Sequence, residues 1–191
     1  MKTLVVLLMM AATFGGNVLA SDPTISLRIK YYDVSGSTGR EIRNQLDKLG
    51  PVGADGKRYD GYTRWRVNWN FQFAPKGGHC ALRSFKTSVR TVMTLPRWEG
   101  SRNVSSRLAK KWNTYLAALR LHEDGHNHHG VEAAEAILKR FSEMQQAPDC
   151  EKLSHDLNAA ARSILASYNQ KDLIYDAKTH HGATQGAVFP P

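Results

Sequence analysis

Strict alternation between apolar and polar residues in one segment constrains the fold more than any other feature of this chain. Between Thr63 and Phe73, one set of alternate residues is aromatic, valine or threonine, and the other set is arginine, asparagine or glutamine. An uninterrupted period of two is typical of a β-strand with one buried and one solvated face. A turn sequence at 75–78 separates this segment from a second extended one, Cys80 to Leu95. The two segments therefore predict a long antiparallel hairpin.

Helical spacing of apolar residues follows the hairpin. It runs from about Ser101 to Gln145, as one long helix or as two helices joined near Gly130, and it returns from Glu151 to Tyr168. Ahead of the hairpin, Ile25 to Asp33 alternates like a strand, and Arg40 to Leu49 has the pattern of a short helix. We therefore predict an α+β fold, in which an antiparallel sheet made of the hairpin and the N-terminal strand packs on the long helix and on a second, C-terminal helix.

The first twenty residues have the composition of a secretory signal peptide. Lys2 gives a positive start, residues 4–10 form an uninterrupted apolar run, and Val18-Leu19-Ala20 precedes an expected cut before Ser21. The apolar run is too short to anchor the chain in a bilayer, and no later segment is apolar enough to span one. We therefore expect 1–20 to be removed and 21–191 to form a single domain that is periplasmic or secreted and monomeric.

Charge and cysteine content limit the partners. The chain has 26 Lys+Arg against 17 Asp+Glu, which favours association with an anionic envelope surface or with acidic substrates. The basic residues are scattered, with no aromatic-flanked basic tract, so nucleic acid is not an expected partner. The two cysteines, Cys80 and Cys150, predict one disulfide in an exported chain. Zinc ligation by these cysteines is the alternative, which the lack of a closely spaced Cys pair disfavours.

The segment that carries chemistry is His122-Glu123-Asp124-Gly125-His126, an H-E-x-x-H motif within the predicted long helix. Residues four apart lie one turn apart on the same helix face, so His122 and His126 can bind a single zinc ion. Glu123 is then placed to take a proton from a zinc-bound water that attacks a carbonyl, and to pass it to the leaving amine. The motif predicts a zinc-dependent peptidase with one catalytic Zn²⁺ and Glu123 as general base. The alternative is a pair of core histidines beside a solvated Glu-Asp.

A catalytic zinc needs a third protein ligand. His129 shares the helix face of His126, but it lies two turns from His122, about 10 Å along a straight helix. This separation disfavours binding of one ion by all three, so we expect His129 in the core or beside a ligand, with the role of third ligand left open for it. We expect His128 to be exposed.

The tail supplies better candidates for that ligand. A polar cluster follows the apolar pair Leu173-Ile174 after the last predicted helix, and we expect burial of that pair to hold the cluster against the body. Tyr175 is a candidate hydrogen-bond donor to the oxyanion that forms during hydrolysis. The candidate third ligands are His181, His180 and Asp176, with Glu132, Glu135 and Glu143 also open.

The ordered set of motifs resembles a family of bacterial proteins of uncharacterised function that are described as predicted secreted zinc-dependent proteases. The matching pieces cover nearly the whole mature chain; they are Tyr62–Trp69, Cys80, Leu95–Trp98, His122–His126, Cys150 and Tyr175–Gly182. The resemblance implies a small zincin-like metallopeptidase acting on a peptide or protein, with the tail motif Y-D-x-x-T-x-H-G as part of its site. On that basis His181 is favoured over His180 as the third ligand.

Two hypotheses from other classes compete with the peptidase. One is a non-catalytic zinc-binding or zinc-buffering protein that uses the histidine cluster, and the other is an envelope-binding domain whose zinc site is structural. A buffer needs neither Glu123 nor a long hydrophobic scaffold, so the sequence favours the peptidase.

Overall fold

The computed structural model describes residues 22–100 and 104–190, and the predicted signal peptide, 1–20, lies outside them. A sheet packs on two long helices, so the predicted α+β class is confirmed. In chain order the elements are β1 (Thr24–Gly36), α1 (Gly39–Leu49), β2 (Tyr62–Lys76), β3 (His79–Gly100), α2 (Ser106–Glu143), β4 (Gln146–Ala147), α3 (Cys150–Thr179) and a short 3₁₀ turn, Ala183–Gln185.

The predicted hairpin is confirmed. β2 and β3 pair antiparallel, from Tyr62 opposite Thr94 to Lys76 opposite His79. Burial alternates along β2 as the sequence pattern predicts, with arginines and amides exposed and the other side chains turned inward. This alternation decides which face of the sheet packs on the helices.

The expectation of a fully antiparallel sheet is wrong for the N-terminal strand. β1 pairs with β3 in parallel, with Thr24 opposite Ser88 and Gly36 opposite Gly100. The strand order is β1-β3-β2 and the sheet is mixed. Alternation in a strand sets which face is buried but carries no information on strand direction. The direction follows from the route of the chain, since β1 leads into α1 and the chain then crosses to the far edge before the hairpin begins.

The long helical segment is one helix, because α2 continues through Gly130 without a break. A side chain at position 130 would meet the ring of Trp65 at 2.7 Å, so glycine there allows α2 to approach β2 closely. The buried face of α2 joins two hydrophobic clusters, one around Phe141 beneath the hairpin and one around Tyr115 beneath β1 and α1. The H-E-x-x-H motif lies between them on the same face.

α3 extends eleven residues beyond the predicted helix, from Tyr168 to Thr179, and this corrects the prediction for the tail. Tyr175 and Asp176 lie on this helix instead of after it. Leu173 and Ile174, which we expected to be buried, are 63% and 44% exposed. The face that packs on α2 carries polar residues at helical spacing, so the apolar pair points outward and the pattern of hydrophobic residues gives no sign of the extension.

The predicted disulfide between Cys80 and Cys150 is present and joins the start of β3 to the start of α3. It closes a loop of 70 residues, which in the chain-entropy model stabilises the fold by about 4 kcal/mol. β4 pairs with β3 at the same point. Across the described ranges, none of the helices has the length and apolar character needed to cross a bilayer.

Candidate metal centre

The H-E-x-x-H turn of α2 is buried. His122 is 2% exposed, Glu123 4% and His126 7%. The two imidazole rings lie one above the other on the helix face, with centroids 5.0 Å apart. Glycine at position 125 has a packing role, because a side chain there would meet the hydroxyl of Tyr175 at 2.5 Å. The motif therefore brings α3 against α2 as well as supplying donor atoms.

Both imidazoles converge on one carboxylate oxygen of α3. The Nε2 atom of His122 lies 3.2 Å from Oδ1 of Asp176, and the Nε2 atom of His126 lies 3.0 Å from the same oxygen. We call His122, His126 and Asp176 the cavity group. Its three donor atoms all lie within 4.8 Å of one another, close enough for a single ion.

The other nitrogen of each ring is held by an oxygen acceptor. The Nδ1 atom of His122 is 2.9 Å from Oε1 of Gln185, and the Nδ1 atom of His126 is 2.9 Å from Oδ1 of Asp172. A hydrogen bond at Nδ1 fixes the ring orientation and the tautomer, which leaves Nε2 as the ligand atom. The arrangement prepares both rings to bind at Nε2.

A second donor group shares His126. The Nδ1 atom of His129 is also bonded to Oδ1 of Asp172, at 2.6 Å, and Nε1 of Trp65 donates to Oδ2 at 2.7 Å. We call His126, His129 and Asp172 the Asp172 group. Its carboxylate already has partners on both oxygens, one from β2 and two from α2.

The electrostatics of the two groups follow from these bonds. Burial by itself lowers the pKa of His126, but hydrogen bonds to Asp172 and Asp176 outweigh it and raise the pKa to about 10. Burial likewise raises the pKa of both carboxyls, yet their imidazole partners outweigh it and lower the pKa of Asp172 and of Asp176. Without a metal the site is therefore a protonated His126 between two carboxylates, and a metal must displace that proton.

Glu123 lies beside the cavity group with one oxygen free of protein partners. Its Oε2 atom is buried and has no hydrogen-bond partner among the described residues. Burial raises the pKa of Glu123, against the lowering effects of Thr63, His126 and His122 nearby. A buried carboxylate with an unpaired oxygen and a raised pKa can accept a proton, as a general base does.

The position of Glu123 depends on the segment before β2. A side chain at Gly61 would meet Oε1 of Glu123 at 2.6 Å, so the backbone there lies directly against the carboxyl. The preceding residue, Asp60, fixes this approach: its carboxylate accepts from Arg43 and Tyr115, each at 2.8 Å, and its backbone carbonyl accepts from Tyr32 at 2.7 Å. Residues of β1, α1 and α2 thus hold the wall of the site in place.

A cavity of about 650 Å³ opens onto this site. Its lining includes residues of the segment from Gly53 to Thr63 and of the last turns of α3, among them Leu173 and Ala177. His122, Glu123, His126 and Asp176 all line it. A volume of this size suits several residues of an extended peptide or a ligand of drug size.

The structure brings most of the predicted residues together. His122, Glu123 and His126 share the cavity, and His181 is at its mouth, with Nδ1 3.5 Å from Oδ1 of Asp176 and the ring 4.7 Å from that of Tyr59. The side chain of His181 is 51% exposed. His128, at 71% exposure, lies on the surface beside Glu132.

Tyr175 packs against the first histidine of the motif. Its ring stacks on that of His122 at 5.0 Å, and its hydroxyl accepts from Nε2 of Gln185 at 3.0 Å. It is not among the residues that line the cavity. The structure therefore shows Tyr175 supporting His122, and the oxyanion role stays a prediction.

Sequence reasoning missed Asp172 and Gln185. Asp172 and Asp176 are four residues apart on one helix, the same spacing as His122 and His126. Two carboxylates at that spacing, opposite two histidines at that spacing, are the signal that could have found the pairing. Gln185 carries no comparable signal, because its position depends on the turn after α3, where His180, His181 and Gly182 all have positive φ.

The donor set fits zinc. Two imidazole nitrogens and a carboxylate oxygen are ordinary ligands of a catalytic zinc, which binds them at about 2.0–2.2 Å. Tetrahedral ligands at those distances are about 3.3 Å apart, and the two nitrogens lie 3.2 and 3.0 Å from the oxygen. The fold and the site thus define an α+β protein with a His-His-Asp centre in a cavity between helices and a sheet edge.

The chain belongs to the family described as "Bacterial protein of unknown function (DUF922)", which matches residues 29–182. The match begins within β1 and ends at Gly182, so it includes every residue of the cavity group. Neither the curated proteins nor the solved structures contain a significant match to the chain.

Proposed function

We propose that this chain is a zinc-dependent peptidase that acts outside the cytoplasm, with zinc held by His122, His126 and Asp176. One observation carries the proposal: both Nε2 atoms converge on Oδ1 of Asp176 while acceptors hold both Nδ1 atoms. Two histidines that only filled the core would not need to direct both Nε2 atoms towards one carboxylate oxygen in the wall of a cavity. The Cys80–Cys150 disulfide agrees with an oxidising compartment.

The proposed chemistry uses Glu123 as general base. When bound, zinc lowers the pKa of its water and polarises a carbonyl. Glu123 accepts the proton of the attacking water on its unpaired Oε2 atom and delivers it to the leaving amine. Its burial keeps bulk water from competing for that position, and Gly61 fixes its distance from the cavity.

The sheet supplies a place for a peptide substrate. β2 is at the end of the strand order, and its first residues, Tyr62 and Thr63, line the cavity. An extended peptide adds to such an edge through main-chain hydrogen bonds. This would carry a substrate carbonyl past Glu123 and the cavity group.

Replacing Glu123 by Gln tests the general base. We expect this variant to keep one zinc per chain and to lose hydrolysis of an unfolded protein such as casein by about 100- to 10,000-fold. Asp124→Asn is the matched control, because Asp124 is the next residue and is exposed. Undiminished hydrolysis in Glu123→Gln would remove Glu123 from the mechanism.

The third ligand is tested by metal content. Asp176 is the ligand we propose, and His181, favoured by the family resemblance, is its competitor at the cavity mouth. We expect both His181→Ala and the surface control His128→Ala to retain one zinc per chain by elemental mass spectrometry. Loss of zinc from His181→Ala alone would transfer the ligand role to His181.

A second candidate function, zinc binding without catalysis, is favoured by the Asp172 group. It provides a second set of donors, and His129 is not among the residues that line the cavity. Under that hypothesis the chain binds zinc but does not hydrolyse peptide bonds, so substitution of Glu123 has no effect on hydrolysis.

A further inference from the structure

The solvent-facing side of the sheet is strongly basic. Residues paired across neighbouring strands point to the same side, so the registers of β1, β2 and β3 define this face. Within the described strands it carries exposed cationic side chains and no carboxylate. They are Arg28, Lys30, Arg64, Arg66, Lys86 and Arg90, and we call this set the basic face.

At the centre of the basic face, two like charges are directly opposed. Arg66 of β2 pairs with Arg90 of β3 in the antiparallel register. Like charges in such a pair destabilise a sheet. Along the same strands, Arg64 is two residues from Arg66 and Lys86 is four residues from Arg90. The fold therefore tolerates a repulsion that a single carboxylate would have relieved.

The carboxylates of the protein are used elsewhere. Among the described residues, no side chain of the basic face lies within 4 Å of a carboxylate oxygen, whereas other cations form such pairs. Examples are Arg43 with Asp47, Arg97 with Asp33, and Lys152 with Asp156. Six cations without an ion pair in the described part of the chain therefore lie on one side of the sheet, in a protein whose net charge is +9 over the whole sequence.

We propose that the basic face binds the surface of a bilayer that contains anionic phospholipid. Strands are about 4.8 Å apart and paired residues rise about 3.4 Å each, so the cations cover roughly 10 Å by 27 Å. Cations spread over two dimensions match the charged plane of a bilayer better than they match the single line of charge on an extended polymer. Nucleic-acid surfaces add aromatic side chains on which bases stack. The aromatic residues in register with this face, Tyr62, Tyr32 and Trp98, all lie towards one end, and Tyr32 and Trp98 donate hydrogen bonds to backbone carbonyls of the protein itself.

The orientation leaves the candidate site accessible. The cavity lies on the side of the sheet that packs on the helices, where α2 and α3 supply His122, Glu123 and Asp176. Binding through the opposite side would hold the protein at a membrane surface with its cavity open to solvent. The proposal rests on the register and the charges alone and is independent of the zinc site.

Sedimentation with vesicles tests this proposal. The chain from Ser21 onward is mixed with vesicles of equal parts phosphatidylcholine and phosphatidylglycerol, and with vesicles of phosphatidylcholine alone. We expect binding to the anionic vesicles only, and loss of that binding at high salt, because screening shortens the range of the charges.

The decisive comparison uses two double variants with the same change in net charge. Arg66→Gln with Arg90→Gln removes the opposed pair, and Lys110→Gln with Lys111→Gln removes two exposed cations of α2 on the other side of the sheet. Each basic residue at an anionic surface contributes about fivefold to binding. We expect the first variant to bind about 25-fold more weakly and the second to bind like the parent chain.

Thermal unfolding separates binding from folding. Removal of the opposed arginines should leave the unfolding temperature unchanged or raised, because the repulsion is relieved. Equal loss of vesicle binding in both double variants would overturn the proposal and reduce the effect to net charge. Absence of binding to anionic vesicles, or preferential binding to a sulfated polysaccharide or DNA over vesicles, would also overturn it.

Discussion

The cavity group and the Asp172 group are built from the same residue types and share His126, yet they differ in how their carboxylates are used. Asp172 has partners on both oxygens, including Nε1 of Trp65. Both residues line the cavity, but the imidazole contacts of Asp176 all fall on Oδ1. A carboxylate with both oxygens engaged orients its neighbours, and a carboxylate with a free oxygen at a cavity can bind a ligand. The structure thus distinguishes a supporting residue from a candidate ligand within one turn of α3.

The largest expected effect is on zinc affinity, when the aspartate of each group is replaced by asparagine. Zinc sites with four ligands bind with about 10–16 kcal/mol, so each ligand contributes about 3 kcal/mol. We expect Asp176→Asn to weaken zinc binding by about 150-fold. Asp172→Asn removes a supporting carboxylate and should weaken it by about 10- to 100-fold. Competition against a chromophoric chelator measures both values. If the larger loss belonged to Asp172→Asn, the assignment of the two carboxylates would be reversed.

The next comparison concerns the turn behind His122. Gly182 and Gly186 have φ of 84° and 93°, so alanine is strained to a similar degree at both. A side chain at 182 would also meet the ring of His122 at 2.9 Å, whereas one at 186 meets only Ala118 at 3.6 Å. We expect Gly186→Ala to cost about 1 kcal/mol of unfolding free energy and Gly182→Ala to cost about 2–3 kcal/mol.

Zinc affinity distinguishes the Gly182 variant from the Gly186 variant more clearly than stability does. Only Gly182→Ala should weaken zinc binding, by about tenfold, because it displaces a ligand ring that Gln185 holds from the other side. Denaturant unfolding of the metal-free proteins gives the stability and chelator competition gives the affinity. Similar zinc affinities for the two variants would show that the turn does not position His122.

Much of this arrangement follows from the sequence, and the missing parts have specific causes. The spacing of His122, Glu123 and His126 predicts their common face, because a helix repeats every 3.6 residues. The alternation from Thr63 to Phe73 predicts the hairpin, because a strand repeats every two residues. Both are local patterns, and each element keeps its pattern in the folded chain. The pairing of Cys80 with Cys150 is predictable as well, since the chain has only two cysteines.

The parallel pairing of β1 and the extension of α3 depend on contacts distant in sequence. The last turns of α3 are stabilised by polar contacts to α2 and β2, such as Asp172 with Trp65, 107 residues away. Hydrophobic periodicity contains no information about such contacts, so it places Asp176 in a tail, whereas Asp176 belongs to a helix that faces the histidines. The sequence therefore predicts the residues that α2 contributes to the candidate site, and it leaves several candidates for the residue that α3 or the turn after it contributes.

The pH dependence of zinc binding tests the shared histidine. In the metal-free protein the pKa of His126 is raised to about 10, so zinc must displace its proton at neutral pH. Because rising pH removes this competitor, we expect zinc affinity to increase about tenfold per pH unit from pH 7 to 9. Calorimetry in buffers of different ionisation enthalpy should show about one proton released per zinc. In Asp172→Asn, which removes one of the two carboxylates that raise the pKa, the increase should end at lower pH.

The same proton contributes to folding, with the sign set by the direction of the shift. The pKa of His126 is higher in the folded chain than its ordinary value of 6.5. Its contribution to the stability of the metal-free protein is therefore complete below about pH 6.5 and is lost as the pH rises towards 10. Metal-free protein whose unfolding free energy stayed constant from pH 6.5 to 9.5 would contradict a His126 cation between two carboxylates.

The smallest expected effect isolates the bond that fixes Asp172. Trp65 and Trp69 lie on the same face of β2, and each donates from Nε1 to a side chain of α3, Asp172 at 2.7 Å and Asn158 at 2.9 Å. Replacing either by Phe keeps an aromatic ring and removes one hydrogen bond, so both variants should lose about 1 kcal/mol of unfolding free energy. Only Trp65→Phe should change zinc affinity, by about two- to fivefold, because only that bond reaches a residue that orients His126. If Trp69→Phe changed the affinity by as much, the effect would arise from the packing of α3 as a whole, and the special role of Asp172 would be refuted.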